Sequence, residues 1–349
     1  MNNAPRGRGT GLNPPNRFEE IAVEPDEDAD PAERPAPATR FYRDASRSVL
    51  VKNDSPDIPF TWSLNPYRGC EHGCVYCYAR PYHEYLGLSA GLDFETKIFV
   101  KEDAPQLLAA ELAKPSWEPD AVALGGVTDV YQPVERALKL TRRCLEVLAD
   151  ARHPCGLVTK SALVARDADV LAELARYGCA RVFVTLTTLD GELARRLEPR
   201  AASAARRLEA VRALARAGVP VGVMTAPVIL GLNDHEMPAL LKAAADAGAT
   251  CAGYTALRLP HGLGPIFEDW LTRHYPDRRD KVLSQIRSTR GGRLNDPRFG
   301  TRMRGEGTFA EHLADLFRLT CARLGLDRRV PPLETRHFRR PLGDQLRLL

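Results

Sequence analysis

Long hydrophobic runs are missing from this sequence. No stretch approaches the ~20 apolar residues of a membrane span, and the N-terminus, MNNAPRGRGTG, has no apolar segment behind its charges. The expectation is a globular, cytoplasmic protein with no membrane partner. Cysteine is also scarce: eight in 349 residues are too dilute for a disulfide scaffold, so the thiols are expected to stay reduced. An excess of one charge is lacking too, and the net +4 names no partner. The imbalance is local. Residues 1–40 carry eight acids against five arginines, whereas 277–305 carry nine basic residues against three acids, among them Arg287, Arg290, Arg293, Arg298, Arg302 and Arg304. The second stretch reads either as a nucleic-acid contact or as an arginine-rich solvated face.

What is present is organised in three parts. Residues 1–45 are acidic and Pro-rich, which predicts a disordered or loosely docked tail, with regular structure beginning near Phe60. From there to about 275 the chain alternates short apolar runs with longer segments that are apolar every three or four residues. The strand candidates are 121–126, 156–160, 181–187, 221–229 and 253–259; the helix candidates are 134–150, 168–178, 204–218 and 237–249. Residues 276–349 form an Arg-rich helical extension. Strands apolar on both faces and joined by helices imply a parallel sheet. With one more strand before the first cysteines there are six βα units, which predicts a partial, open (β/α)6 barrel; a doubly wound open sheet fits the same periodicity.

In parallel α/β folds the chemistry gathers at the strand C-terminal ends. Thr128 and Asp129, Thr159 and Lys160, and Thr185 and Thr187 all fall there, and so does the stretch NPYRGCEHGCVYCYARP (65–81). Its cysteines, Cys70, Cys74 and Cys77, have no fourth companion before Cys144. Structural zinc takes four protein ligands, and His72 and His83 are the nearest complements. A [4Fe–4S] cluster held by three cysteines instead leaves one iron open to a non-protein ligand. Cys179 and Cys321, standing alone, read as buried structural thiols.

Cys-x3-Cys-x2-Cys after a first strand, with Tyr76 before the last cysteine, resembles the radical S-adenosylmethionine (SAM) superfamily. The similarity extends to its spore photoproduct lyase-like branch through TDVYQPVE (128–135), LVTKS (157–161), LEPR (197–200), RRLEAVRALARAGVPVGVMTAPVI (206–229) and YTALRLP (254–260), covering about residues 41–310. The resemblance implies a [4Fe–4S] cluster on Cys70, Cys74 and Cys77 whose open iron binds SAM. It further implies an external electron donor of the flavodoxin or ferredoxin type and a 5′-deoxyadenosyl radical that takes hydrogen from the substrate. Tyr76 would lie against adenine, with Ala226 and Val228 packing on it. Gly125, Gly126, Thr128 and Asp129 would meet the SAM amino group. Lys160 would meet the carboxylate and Thr185 the ribose, with Thr187 beside them and Glu198 and Arg200 near by. Gly126 stands where the lyases carry a hydrogen-donating cysteine, leaving Tyr76 and Tyr78 as candidates for that role. The substrates weighed are a DNA lesion, and RNA, protein or a small molecule; a non-catalytic metal-stabilised module is the further alternative. No second cysteine cluster supports an auxiliary iron–sulfur centre.

Overall fold

A computed structural model describes residues 5–18, 37–328 and 330–341. The described residues form ten strands: β1 (Arg40–Arg43), β2 (Leu50–Lys52), β3 (Trp62–Leu64), β4 (Tyr67–Arg68), β5 (Lys97–Val100), β6 (Val122–Leu124), β7 (Cys155–Thr159), β8 (Ala180–Thr185), β9 (Val221–Val228) and β10 (Cys251–Ala256). The main sheet has seven strands in the order β10-β9-β8-β7-β6-β3-β2, parallel except for β2 on β3. From β3 to β10 each crossover moves one place in the same direction. A doubly wound sheet would reverse part way, so the arrangement is the six-unit open barrel, unclosed and with β2 on one edge.

Alternation places Leu64, Leu124, Leu157, Val182 and Val221 in one register row across five strands, each at most 1% exposed. Helices Ala168–Arg176, Ala204–Arg216 and Met237–Asp246 bury Leu171, Leu214 and Leu241 in the same core. The segment 134–150, read as one helix, is two: Glu135–Leu138 and Leu140–Asp150, divided at Lys139 with φ 53°. The break lets buried Glu135 accept from Thr141 N at 3.0 Å, capping the second helix, while Tyr67 Oη donates to it at 2.5 Å.

Regular structure begins before Phe60. β1 pairs in parallel with β5 in a small second sheet, order β1-β5-β4. Part of the expected tail is docked: Gly9 N donates to Glu95 at 2.9 Å and Leu92 N to the Leu12 carbonyl at 2.9 Å. The expectation for 19–36 lies outside the described residues. At the other end, helix Thr308–Leu324 packs into the main core through Leu313 and Cys321, with Phe317 against Tyr254 on edge strand β10. Among the described residues no helix is long and apolar enough to cross a membrane.

Packing across β9 gives a stability prediction. A Cβ on Gly222 would sit 2.6 Å from both the Phe183 ring and Cys251 Sγ, whereas one on Gly156 meets nothing within 4 Å. Gly222→Ala should cost about 1–3 kcal/mol by overpacking, and Gly156→Ala should not destabilise. Thermal unfolding of the two variants checks the contrast; equal midpoints contradict this packing.

Candidate active site

The cysteine loop leaves β4 and crosses the C-terminal ends of the parallel strands. Cys70 and Cys74 are buried and Cys77 half-buried. Val75, at 0% exposure, wedges the loop into an apolar cluster with Leu197, Leu257, Ile266 and Trp270, and its N–H donates to the Leu197 carbonyl at 3.1 Å. On the other side, fully buried Arg80 donates to the carbonyls of Cys74 (3.0 Å), Gly73 (3.3 Å), Ala90 (3.3 Å) and Gly91 (2.8 Å), and pairs with buried Glu95 at 2.5 Å. Gly73 is required here: its φ is 67°, and a Cβ would stand 2.6 Å from Glu95 Oε2.

Two buried carboxylates fasten the loop to the strand ends. Glu198 accepts from Tyr76 Oη, from Thr187 Oγ1 at 2.5 Å and from Arg207, which also donates to the Thr185 carbonyl at 3.0 Å and to Ala202 at 2.7 Å. Burial opposes the Glu198 charge, but Arg207, Lys160 and the two hydroxyls hold its pKa down at about 2. Asp129 accepts from Thr159 Oγ1 (2.7 Å), Lys160 N (2.7 Å) and Tyr131 N (2.9 Å). His72 Nδ1 lies 3.3 Å from it, within ion-pair reach but outside hydrogen-bond geometry. Three hydrogen bonds thus occupy most of the roughly four acceptor positions of the carboxylate, and His72 faces it as a cation. Burial pushes Asp129 up, but His72 and its hydrogen bonds hold it at about 2.

Several expected residues converge. Tyr76, Thr187, Glu198 and Lys160 meet, with Lys160 Nζ 5.7 Å from the Tyr76 ring centre. Thr187 Oγ1 also donates to the Ala226 carbonyl at 3.1 Å, and Val228 is buried in the core. Gly125 has φ 84°, and a Cβ would stand 2.3 Å from the Val158 carbonyl oxygen. Gly126 differs: a Cβ there meets only Phe60 and Ser63, at 3.5–4.0 Å, and its carbonyl accepts from Tyr78 Oη. Thr128 faces the loop, donating to the Tyr67 carbonyl at 3.0 Å.

Other residues are placed differently. Arg200, expected near the site with Glu198, pairs with buried Glu71 at 3.0 Å. His83 joins no ligand set with the cysteines, lying edge-on to Phe94 and Phe99, and burial holds it neutral, with its pKa lowered to about 4. The arginines of 277–305 are largely spent within the fold. Arg290 is 2% exposed and donates to the carbonyls of Arg302, Ala256 and Leu257; Arg298 pairs with Asp296 and Glu306, and Arg302 with Asp57.

Sequence reading missed Arg80, Glu95 and Arg207. It also missed Asn65, whose Oδ1 receives Thr128 N at 3.3 Å, and Gln132, which takes Glu71 N at 2.9 Å and gives to the Gly69 carbonyl at 3.2 Å. Asn65 and Gln132 lay inside quoted motifs; a polar residue kept in a rigid Gly- and Pro-punctuated stretch was the available signal.

Burial raises the Cys74 and Cys77 thiols, so the free protein does not hold them as thiolates. Among the described residues no three His, Cys, Asp or Glu side chains converge as ligands of one ion. Three cysteines on one loop that do not converge on one ion fit a multi-iron cluster with one cysteine per iron better than a single zinc.

The profile of the Radical SAM superfamily matches residues 64–244. An uncharacterized protein of Mycobacterium tuberculosis is 36% identical over 299 residues, 84% of each chain. One of Methanocaldococcus jannaschii is 30% identical over 173 residues, 50% of this chain and 62% of the other. Among solved structures, a spore photoproduct lyase complexed with dinucleoside spore photoproduct aligns with TM-score 0.59 at 18% identity, over 81% of this chain and 79% of that one. A mutant of the lyase with bound AdoMet and the same dinucleoside aligns equally well, over 81% and 78%. At that identity the likeness concerns the fold.

The depressed Glu198 pKa predicts acid sensitivity. Its ordinary value is 4.5 and its folded value about 2, so the unfolded chain takes up the proton first. The stability it contributes is fully present above about pH 4.5 and is lost as pH falls toward 2. Glu198→Gln should therefore destabilise more at pH 7 than at pH 3 in denaturant titrations. A pH-independent effect would contradict the buried pairing.

Proposed function

The chain belongs to the radical SAM superfamily, and from that premise we propose that Cys70, Cys74 and Cys77 hold a [4Fe–4S] cluster with one iron left for SAM. Bound there, such a cluster would supply one electron to SAM, splitting it into methionine and a 5′-deoxyadenosyl radical. The observation that carries the reading is the set of three cysteines, two buried and one half-buried, on a loop held by three buried carboxylates. The remaining work falls to this chain's own side chains: orienting SAM, excluding water and positioning a substrate.

Lys160 has no acidic partner within ion-pair distance among the described residues, and as a compact point charge it suits the SAM carboxylate. Asp129 is a positioning residue. It accepts from Thr159 Oγ1, Lys160 N and Tyr131 N and faces His72, so it fixes the backbone that carries Lys160. Tyr76 Oη is locked on Glu198, which leaves its ring as the contact for adenine beside Ala226. Tyr78 is 39% exposed and reaches across the mouth to Gly126, so of the two tyrosines it is the one placed to pass a hydrogen atom to a substrate radical. An external one-electron donor of the flavodoxin or ferredoxin type would approach the outer side of the loop, where Arg6, Arg8 and Arg195 line a recess with Pro199. The substrate is proposed as a nucleic-acid lesion, by analogy with the lyase fold.

Two sets of variants test the reading. Any one of Cys70→Ala, Cys74→Ala and Cys77→Ala should abolish retention of iron and sulfide after anaerobic reconstitution, and Cys144→Ala should not; a full cluster in any of the three contradicts the assignment. Lys160→Ala should keep the iron and weaken SAM binding by about 1–3 kcal/mol. Asp129→Ala should lower both SAM affinity and thermal stability. Wild-type SAM affinity by calorimetry in Lys160→Ala would show its role to be misassigned. Gly126→Cys fits the space beside Phe60, so it should fold with stability within about 1 kcal/mol of wild type.

A further inference from the structure

The short 3-10 helix Arg80–Leu86, which follows Cys77 almost directly, is inside out. Its buried residues are Arg80, Pro81, His83 and Glu84, whereas Tyr82 and Tyr85 are 54% and 67% exposed. At three residues per turn they lie on the same side, with ring centroids 6.3 Å apart. The row continues outward, since Tyr85 stacks on Phe18, itself 56% exposed, at 4.9 Å and 29°, and the Arg17 guanidinium stands 5.1 Å from the Phe18 ring centre. Inward it ends at Tyr78, with the Arg258 guanidinium 4.8 Å from that ring centre. Burying polar groups while exposing a contiguous aromatic row reverses the usual pattern, and such a patch marks an interaction surface.

The charges beside the row identify what would cover it. Arg17 is neutralised by Glu84 at 2.5 Å. Arg258, at the inner end, has neither a hydrogen-bond acceptor nor an acidic partner among the described residues. Burial lowers its pKa, and Asp57, whose charge acts on it, pairs with Arg302 at 2.5 Å. Exposed tyrosine rings leading to a guanidinium that has no acceptor match a ligand in which flat aromatic groups alternate with anions.

We propose that this rim, Tyr82, Tyr85 and Phe18 leading to Arg258, is where an unpaired polynucleotide strand lies as it enters the site. Bases stack on the exposed tyrosine rings, with Phe18 backing Tyr85, and a phosphate meets Arg258. A duplex cannot use the rim in this way, because its bases are stacked inside it. The Arg-rich stretch 277–305, with most of its charge answered internally, is not the main contact. The proposal leans on the radical SAM reading only for which end of the strand reaches the chemistry.

Anaerobically reconstituted full-length protein should be titrated with labelled single-stranded DNA and RNA oligonucleotides of one mixed sequence, and with the DNA duplex, by fluorescence anisotropy at two salt concentrations. The single strands should bind more tightly than the duplex. Tyr82→Ala and Tyr85→Ala, both at exposed positions, should each weaken strand binding about 5- to 100-fold. Arg258→Gln should weaken it and reduce its salt dependence by about one counterion, while Arg293→Gln leaves it unchanged. Duplex binding as tight as single-strand binding, tyrosine variants with wild-type affinity, or no binding by the wild type would each overturn the proposal. Formation of 5′-deoxyadenosine from SAM, measured alongside, separates the two readings: strand binding without it removes the proposed chemistry and leaves the rim, and the converse removes the rim alone.

Discussion

The geometry of this site depends on buried carboxylates that tie the cysteine loop to the barrel. Glu95 holds it from behind through Arg80, Glu198 from one side through Tyr76 and Thr187, and Asp129 from the other through His72 and the end of β7. Each charge is costly to bury, and a buried pair is often no more stabilising than an apolar replacement. Their value is directional. Once the carboxylates are inside, leaving any of their donors elsewhere would strand an unpaired charge, so the loop has one low-energy seat. A cluster, whose iron ligands must be held at fixed separations, requires that restriction.

The same bookkeeping of charges separates structural cations from those left for ligands. Arg80, Arg207 and Arg290 are buried and committed to carboxylates or carbonyls, and Arg302 is held by Asp57. Lys160, just past the end of β7, and Arg258, beyond the end of β10 at the mouth, have no acid within ion-pair distance among the described residues. One lies where the proposed cofactor carboxylate would sit and the other at the rim proposed for the strand. The apolar cluster around Val75 and Trp270 closes the loop's far side to water, leaving the mouth beside Tyr78 as the accessible face.

Much of this was legible in the sequence because it is periodic or local. The six βα units show as alternating apolar runs and helical repeats, and Cys70, Cys74 and Cys77 stand within eight residues. What could not be read depends on contacts between distant residues. Arg207 looks like one more arginine of a basic helix until β8 and the loop bring Glu198 beneath it, and the likelier-looking partner, Arg200, pairs with Glu71. Lys139 breaks a segment whose periodicity continues unbroken, because Glu135 is drawn inward by Tyr67 from another element. The arginines of 277–305 look like a surface charge patch in one dimension, since nothing local shows that Arg290 folds back onto the carbonyls after β10. The exposed tyrosines following Cys77 were visible, but only the helix facing tells that Arg80 and Glu84 are inside and they are outside.

The central claim is that three cysteines hold a four-iron cluster with one iron free for SAM. Electron paramagnetic resonance of the reconstituted, reduced protein before and after adding SAM tests it most directly. The account predicts the signal of a reduced [4Fe–4S] cluster and a clear change in that signal when SAM binds. A signal indifferent to SAM, or a colourless protein that retains zinc and no iron, would contradict it.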